Sequence, residues 1–109
     1  MPSFTYHRQV RTLTSEIYEI RDSARRVGRI DLHFASQEAY GTLILERETD
    51  EDGVLEIIES IDEDLVLSSE MPRNDFLVSV YNGRDIGFYN DDFLRERLAQ
   101  TGGNGAVSH

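Results

Sequence analysis

The densest run of oxygen-bearing side chains lies between Glu48 and Glu59. Glu48, Asp50, Asp52 and Glu59 fall at positions 1, 3, 5 and 12 of that window, with Gly53 at position 6 and Leu55 at position 8. That is the spacing of a calcium-binding loop, where a cation gathers several oxygens around a glycine-centred turn. The flanks disagree. An exiting calcium-hand helix needs apolar residues where this chain has Ser60, Glu63 and Asp64, and the entering segment Thr42–Glu46 has a strand's composition. The same residues read better as a capped, acidic helix. A divalent-cation-binding domain at Glu48–Glu59 remains an alternative, and no metal ligand or cofactor is assigned.

Asp31 and His33, joined by Arg29, stand on the polar side of a single strand. Alternate strand residues lie roughly 6.6–6.8 Å apart, so a carboxylate and an imidazole there could orient a water or supply part of a metal site. This supports a second alternative, a small hydrolase or isomerase using Asp31 and His33. A competent metal site needs a third ligand, for which only His7 or Glu19 on a neighbouring strand is at hand. The sequence holds no GxSxG, HExxH or GxGxxG. The preferred reading is a solvated sheet face laced with cross-strand ion pairs, with no catalytic residue assigned.

Arg21, Arg25, Arg26 and Arg29 place four guanidiniums within nine residues around an expected turn. Such a cluster is a candidate anion-binding site, and it could equally meet the acidic helix of a second copy. A solvated turn is the plainer expectation.

Composition removes whole classes of chemistry. All 11 basic residues among the 109 are arginine, so there is no Schiff-base or phosphate-binding lysine. There is no cysteine, hence no thiol nucleophile, thiolate metal site or disulfide. The net charge of −10 is local. Residues 1–45 hold six arginines and five acids, residues 46–70 one arginine and 11 acids, and residues 71–109 four arginines and five acids. A phosphate-backbone binder needs a basic face, so nucleic acid is not expected as a partner, and the five tyrosines form no stacking row among basic residues. No apolar run approaches the about 18 residues of a membrane span, and no signal-like segment opens the chain. A cytoplasmic location without membrane contact is expected.

The elements that must hold these residues follow from periodicity. Gly28–Phe34 alternates Ile30, Leu32 and Phe34 with Arg29, Asp31 and His33, the mark of a strand with one wet face. Glu16–Asp22 pairs with it across an Asp22–Arg26 turn, and Thr42–Glu46 reads as a strand buried on both sides. Residues 4–27 fit two patterns. Tyr6, Val10, Leu13, Ile17, Ile20, Ala24 and Val27 keep a helical spacing, yet nine of the 19 residues from Phe4 to Asp22 are β-branched or aromatic. Two strands are preferred.

Residues 50–65 predict a helix with Val54, Ile57, Ile58, Ile61 and Leu65 on one stripe, opened by a Thr49–Asp52 capping box. A hairpin with a Tyr81-Asn82-Gly83 loop would set Val78 against Ile86 and Phe76 against Phe88. A final helix runs Asp91–Gln100. The expected fold is α+β: an antiparallel sheet of about six strands in the order β-β-β-β-α-β-β-α, with two helices packed on one face. One domain is expected over residues 1–101, with a disordered tail at 102–109.

The functional expectation is a non-catalytic binding or regulatory domain working as a homodimer. Its contact for a basic protein partner would be the acidic helix surface, Glu51, Asp52, Glu56, Glu59 and Glu63. Dimerisation is expected because so small a strand-rich domain must cover or charge its sheet edges.

Overall fold

The computed structural model describes residues 3–67, 74–87 and 89–102. Four strands come first: β1 (Phe4–Arg11), β2 (Ser15–Asp22), β3 (Arg25–Phe34) and β4 (Glu38–Leu45). Helix α1 (Glu51–Ile61) runs into a π turn (Asp62–Val66), and β5 (Asp75–Asn82) and α2 (Asp91–Gly102) follow. The strands form one α+β sheet in the order β1-β2-β3-β4-β5.

The ambiguity over residues 4–27 resolves as two antiparallel strands, with Tyr6 opposite Ile20 and Arg8 opposite Tyr18. A helix would have spread the β-branched and aromatic residues round a cylinder. The sheet instead gives Tyr6, Tyr18 and Ile20 one common face. A two-residue turn joins β2 to β3, with Ser23 in the left-handed region at φ 58°.

The expectation of about six antiparallel strands is corrected in two ways. Among the described residues the sheet has five strands, and it is mixed, because β5 runs parallel to β4. The chain reaches β5 through α1, the helical crossover that parallel neighbours require. No hairpin forms at Tyr81-Asn82-Gly83 among the described residues, because residues 83–87 carry no strand to lie on the other edge of β5. Val78 lies opposite Gly41 and not Ile86, and Phe76 lies opposite Ala39; Phe88 falls outside the described residues. Asn82 Nδ2 and the Gly83 amide both donate to the Leu45 carbonyl at 2.9 Å, so the Asn-Gly pair fastens β5 to the end of β4. β4 itself starts at Glu38, four residues before the strand expected from Thr42.

The inner face of the sheet carries the core. Ile20, Ile30, Leu32, Ala39 and Leu43 are fully buried, and Ile57 and Ile61 of α1 close over them. The N-cap of α1 is Asp50, whose carboxylate accepts from the Gly53 amide at 2.9 Å, one residue later than the Thr49–Asp52 box. The expected last turn of this helix is wound as π, with the Leu67 amide donating to the Asp62 carbonyl at 2.8 Å. The wider turn buries Val66 beside Ile61.

The expectation of two helices packed on one face holds for α1 alone. Phe93, Leu94 and Leu98 of α2 remain 50–56% exposed, so this helix does not bury its apolar stripe on the sheet. Its clearest aromatic contact is local, Tyr89 edge-on to Phe93 with ring centroids 5.0 Å apart. The expected tail lies outside the described residues from Gly103 onward. No helix among the described residues is long and apolar enough to cross a membrane.

Candidate functional site: a paired sheet face and an unpaired helix face

The register builds the outer face of the sheet row by row. His7, Glu19, Arg29, Ile44 and Tyr81 lie successively opposite one another across all five strands. The adjacent row brings Ile17, Asp31, Thr42 and Ser79 together. Period-2 alternation sends these residues away from α1, and their charges must then be met by one another or by water.

They are met by one another. Arg26 donates to Glu46 at 2.5 Å and to Asp85 at 3.3 Å, and it also pairs with Glu19. Arg21 donates to Glu19 at 2.7 Å and to the Ala24 carbonyl at 3.2 Å. Arg29 grips Asp31 with two donors, at 2.6 and 3.0 Å, in the forked geometry that suits a guanidinium and a carboxylate.

The electrostatics follow the contacts. The hydrogen bond from Arg21 leads in drawing the Glu19 carboxyl below its ordinary range, with Arg26 adding to it. Burial works against the charge on Arg26, but Glu46 and Glu19 outweigh it and raise that guanidinium. Arg29 is raised chiefly by its hydrogen bond to Asp31.

Three of the four arginines named as a candidate anion site, Arg21, Arg26 and Arg29, are thus brought together with their donors on internal carboxylates. Arg25 stands exposed at the turn. Cross-strand ion pairs were expected on this face, but these particular partners were not named. Glu19 was recoverable from register once the β2–β3 turn was fixed. Asp85 was not, because it arrives on the loop after β5, 59 residues from Arg26. That loop closes one side of a cleft of about 200 Å³ on the outer face, lined by Val10, Ile17, Glu19, Arg26, Arg29 and Asp85.

The Asp31–His33 pair is not assembled for proton transfer. Both lie on β3, but the Asp31 carboxylate is turned onto Arg29, and His33 is exposed between Ser15 and Tyr40 in the register. His7 lies opposite Glu19, whose oxygens face Arg21 and Arg26. No group of three His, Asp or Glu side chains converges on a metal-sized point among the described residues.

The Glu48–Glu59 window is helical from Glu51 onward, and Asp50 is engaged as the cap. A helix rises about 1.5 Å per residue, so Asp52, Glu56 and Glu59 are strung along about 10 Å of one helix face instead of gathered round a cation.

The helix surface differs in kind from the sheet. Glu51, Asp52, Glu56, Glu59 and Glu63 are all exposed. Among the described residues, none of the five pairs with a cationic side chain. At the flank of this face, Tyr6 on β1 and Ser60 on α1 share a hydrogen bond of 2.5 Å that ties the helix to the sheet.

Comparison with protein-family models, with curated proteins and with solved structures finds no match to this chain.

Proposed function

We propose that this chain is a non-catalytic binding domain that engages a basic protein partner through the acidic face of α1 and works as a homodimer. One contrast carries this reading. On the sheet, Glu19, Asp31, Glu46 and Asp85 each have an arginine within hydrogen-bonding reach. On the helix, Glu51, Asp52, Glu56, Glu59 and Glu63 have none among the described residues.

Helix stability does not account for that arrangement. Asp52/Glu56 and Glu59/Glu63 are like-charged pairs four residues apart, each costing about 0.2–0.5 kcal/mol. Glu63 and its neighbours also stand at the negative end of the helix dipole. A row of unneutralised carboxylates on one exposed, rigid element suits an arginine-rich surface, which it would attract over a screening length. The dimer is supported by the two edges of the sheet, β1 and β5, which have no further strand beside them among the described residues.

Calorimetric titration with an arginine-rich peptide tests the contact. Binding is expected that weakens with salt and falls at least tenfold in the double charge reversal Glu56→Lys/Glu59→Lys. Equal binding by the reversed variant would refute the assignment of the contact to α1.

A further inference from the structure

We infer that the dimer forms by antiparallel pairing of the free edge of β5 with the same edge of a second copy, giving a ten-stranded sheet. This inference rests on the dimer in the reading above and names its interface. The two edges of the sheet are not alike. β1 carries His7, Arg8 and Arg11 and is broken by a bulge between Arg8 and Val10, features that blunt an edge against further pairing. β5 is eight residues long, with no proline, no bulge in its register with β4, and no charge after Asp75. Its far side has no strand beside it among the described residues. Leu77, Val80 and Tyr81 are left 44%, 40% and 59% exposed along it.

Symmetry restricts the register. A twofold axis normal to the sheet keeps inner face with inner face, so each opposed pair must share a face. Centring the axis on Ser79 puts Leu77 opposite the second copy's Tyr81 on the outer face, and Val78 opposite the second copy's Val80 on the inner face. These are aliphatic–aromatic and β-branched pairs of the kind that stabilise sheets. Asp75 then faces Gly83, so no carboxylate meets another across the seam. An uncharged edge complements a second copy of itself better than it does a basic peptide. An eight-residue seam is small against the roughly 1,200–2,000 Å² of a standard interface, so a weak dimer, with a dissociation constant on the order of micromolar, is the expectation to test.

The cysteine-free chain makes the test clean. Opposed strand residues lie about 4.5–5.5 Å apart at Cα, within disulfide reach. Under mild oxidation Ser79→Cys is expected to give a species of twice the 12.5 kDa chain mass on a non-reducing gel, whereas Thr5→Cys on β1 is not. Leu77→Lys, at a half-exposed position, is expected to raise the dimer dissociation constant at least tenfold by light scattering, with the circular dichroism spectrum unchanged.

A wild-type dimer in which Ser79→Cys fails to cross-link overturns the β5 seam and leaves the dimer standing. A wild-type chain that stays at 12.5 kDa up to about 100 μM overturns both. Neither outcome touches the acidic contact on α1.

Discussion

Tyr6 and Ser60, 54 residues apart in sequence, meet hydroxyl to hydroxyl at 2.5 Å and join the first strand to the crossover helix. Tyr6 also stands edge-on to Tyr18, with ring centroids 6.5 Å apart, so its position is fixed from two sides. The acidic face of α1 is presented to solvent because Ile57 and Ile61 hold the opposite side of the helix down, while the Tyr6–Ser60 contact ties its flank to β1.

Removing that hydrogen bond has a defined cost. Tyr6→Phe is expected to lower unfolding free energy by about 1 kcal/mol, and a double-mutant cycle with Ser60→Ala should show coupling. Burial, and then the charge of Asp64, raise the Tyr6 phenol above its ordinary value of 10.0. A group raised in the folded state gives stability that is complete below the unfolded value and is lost as pH rises through the folded one. The contribution should therefore persist to about pH 10 and decline above it. Denaturant melts of wild type and Tyr6→Phe, compared across alkaline pH, check this.

The Glu19 carboxyl gives the opposite sign. Arg21 and Arg26 lower it from 4.5, so its stabilisation is complete above that value and is lost as pH falls through the folded value. Thermal melts between pH 6 and pH 3 should show a steeper acid decline for wild type than for Glu19→Gln. Parallel acid limbs would contradict the pairing.

Gly28 is fixed by contact. A Cβ at that position would run into the Ile44 carbonyl oxygen, which belongs to the neighbouring strand's backbone and cannot swing aside. Gly28→Ala is expected to cost at least about 3 kcal/mol. At Gly83 the nearest atom to an added Cβ is the Ile44 Cγ2 at 3.7 Å, so Gly83→Ala should leave the melting temperature nearly unchanged. Soluble yield and melting temperature of the two variants separate them.

The acidic helix is predicted to be more stable when it is less acidic. Glu63→Lys removes the repulsion from Glu59 and places a cation near the helix C-terminal end, worth about 0.5–1 kcal/mol together. The melting temperature should rise while affinity for an arginine-rich peptide falls. A fall in both would indicate that Glu63 is held by structure and not kept for binding.

Much of this architecture could be read from residue patterns. The alternation of Ile30, Leu32 and Phe34 with Arg29, Asp31 and His33 located β3 and its wet face, and the stripe through Val54, Ile57 and Ile61 located α1. The parallel β4–β5 pairing was missed, although two signals were present. Thr42–Glu46 reads as buried on both sides, which is the habit of a strand with a parallel neighbour, and a helix follows it directly. The Asn82-Gly83 dipeptide outweighed them as a hairpin signal, yet its amides serve Leu45. Ion pairs on the face of Arg29, Asp31 and His33 were legible, but the partners of Arg26 were not, because Glu46 and Asp85 reach it through tertiary contacts that no local spacing encodes.

The most direct test of the unpaired acidic face is a residue-resolved titration. Amide shifts of the labelled protein would be followed by nuclear magnetic resonance as an arginine-rich peptide is added at low salt and at physiological salt. Changes should concentrate between Glu51 and Glu63, weaken with salt, and vanish in Glu56→Lys/Glu59→Lys. Changes centred instead on the outer face around Arg26 and Arg29, or no change at α1 at either salt, would contradict the account.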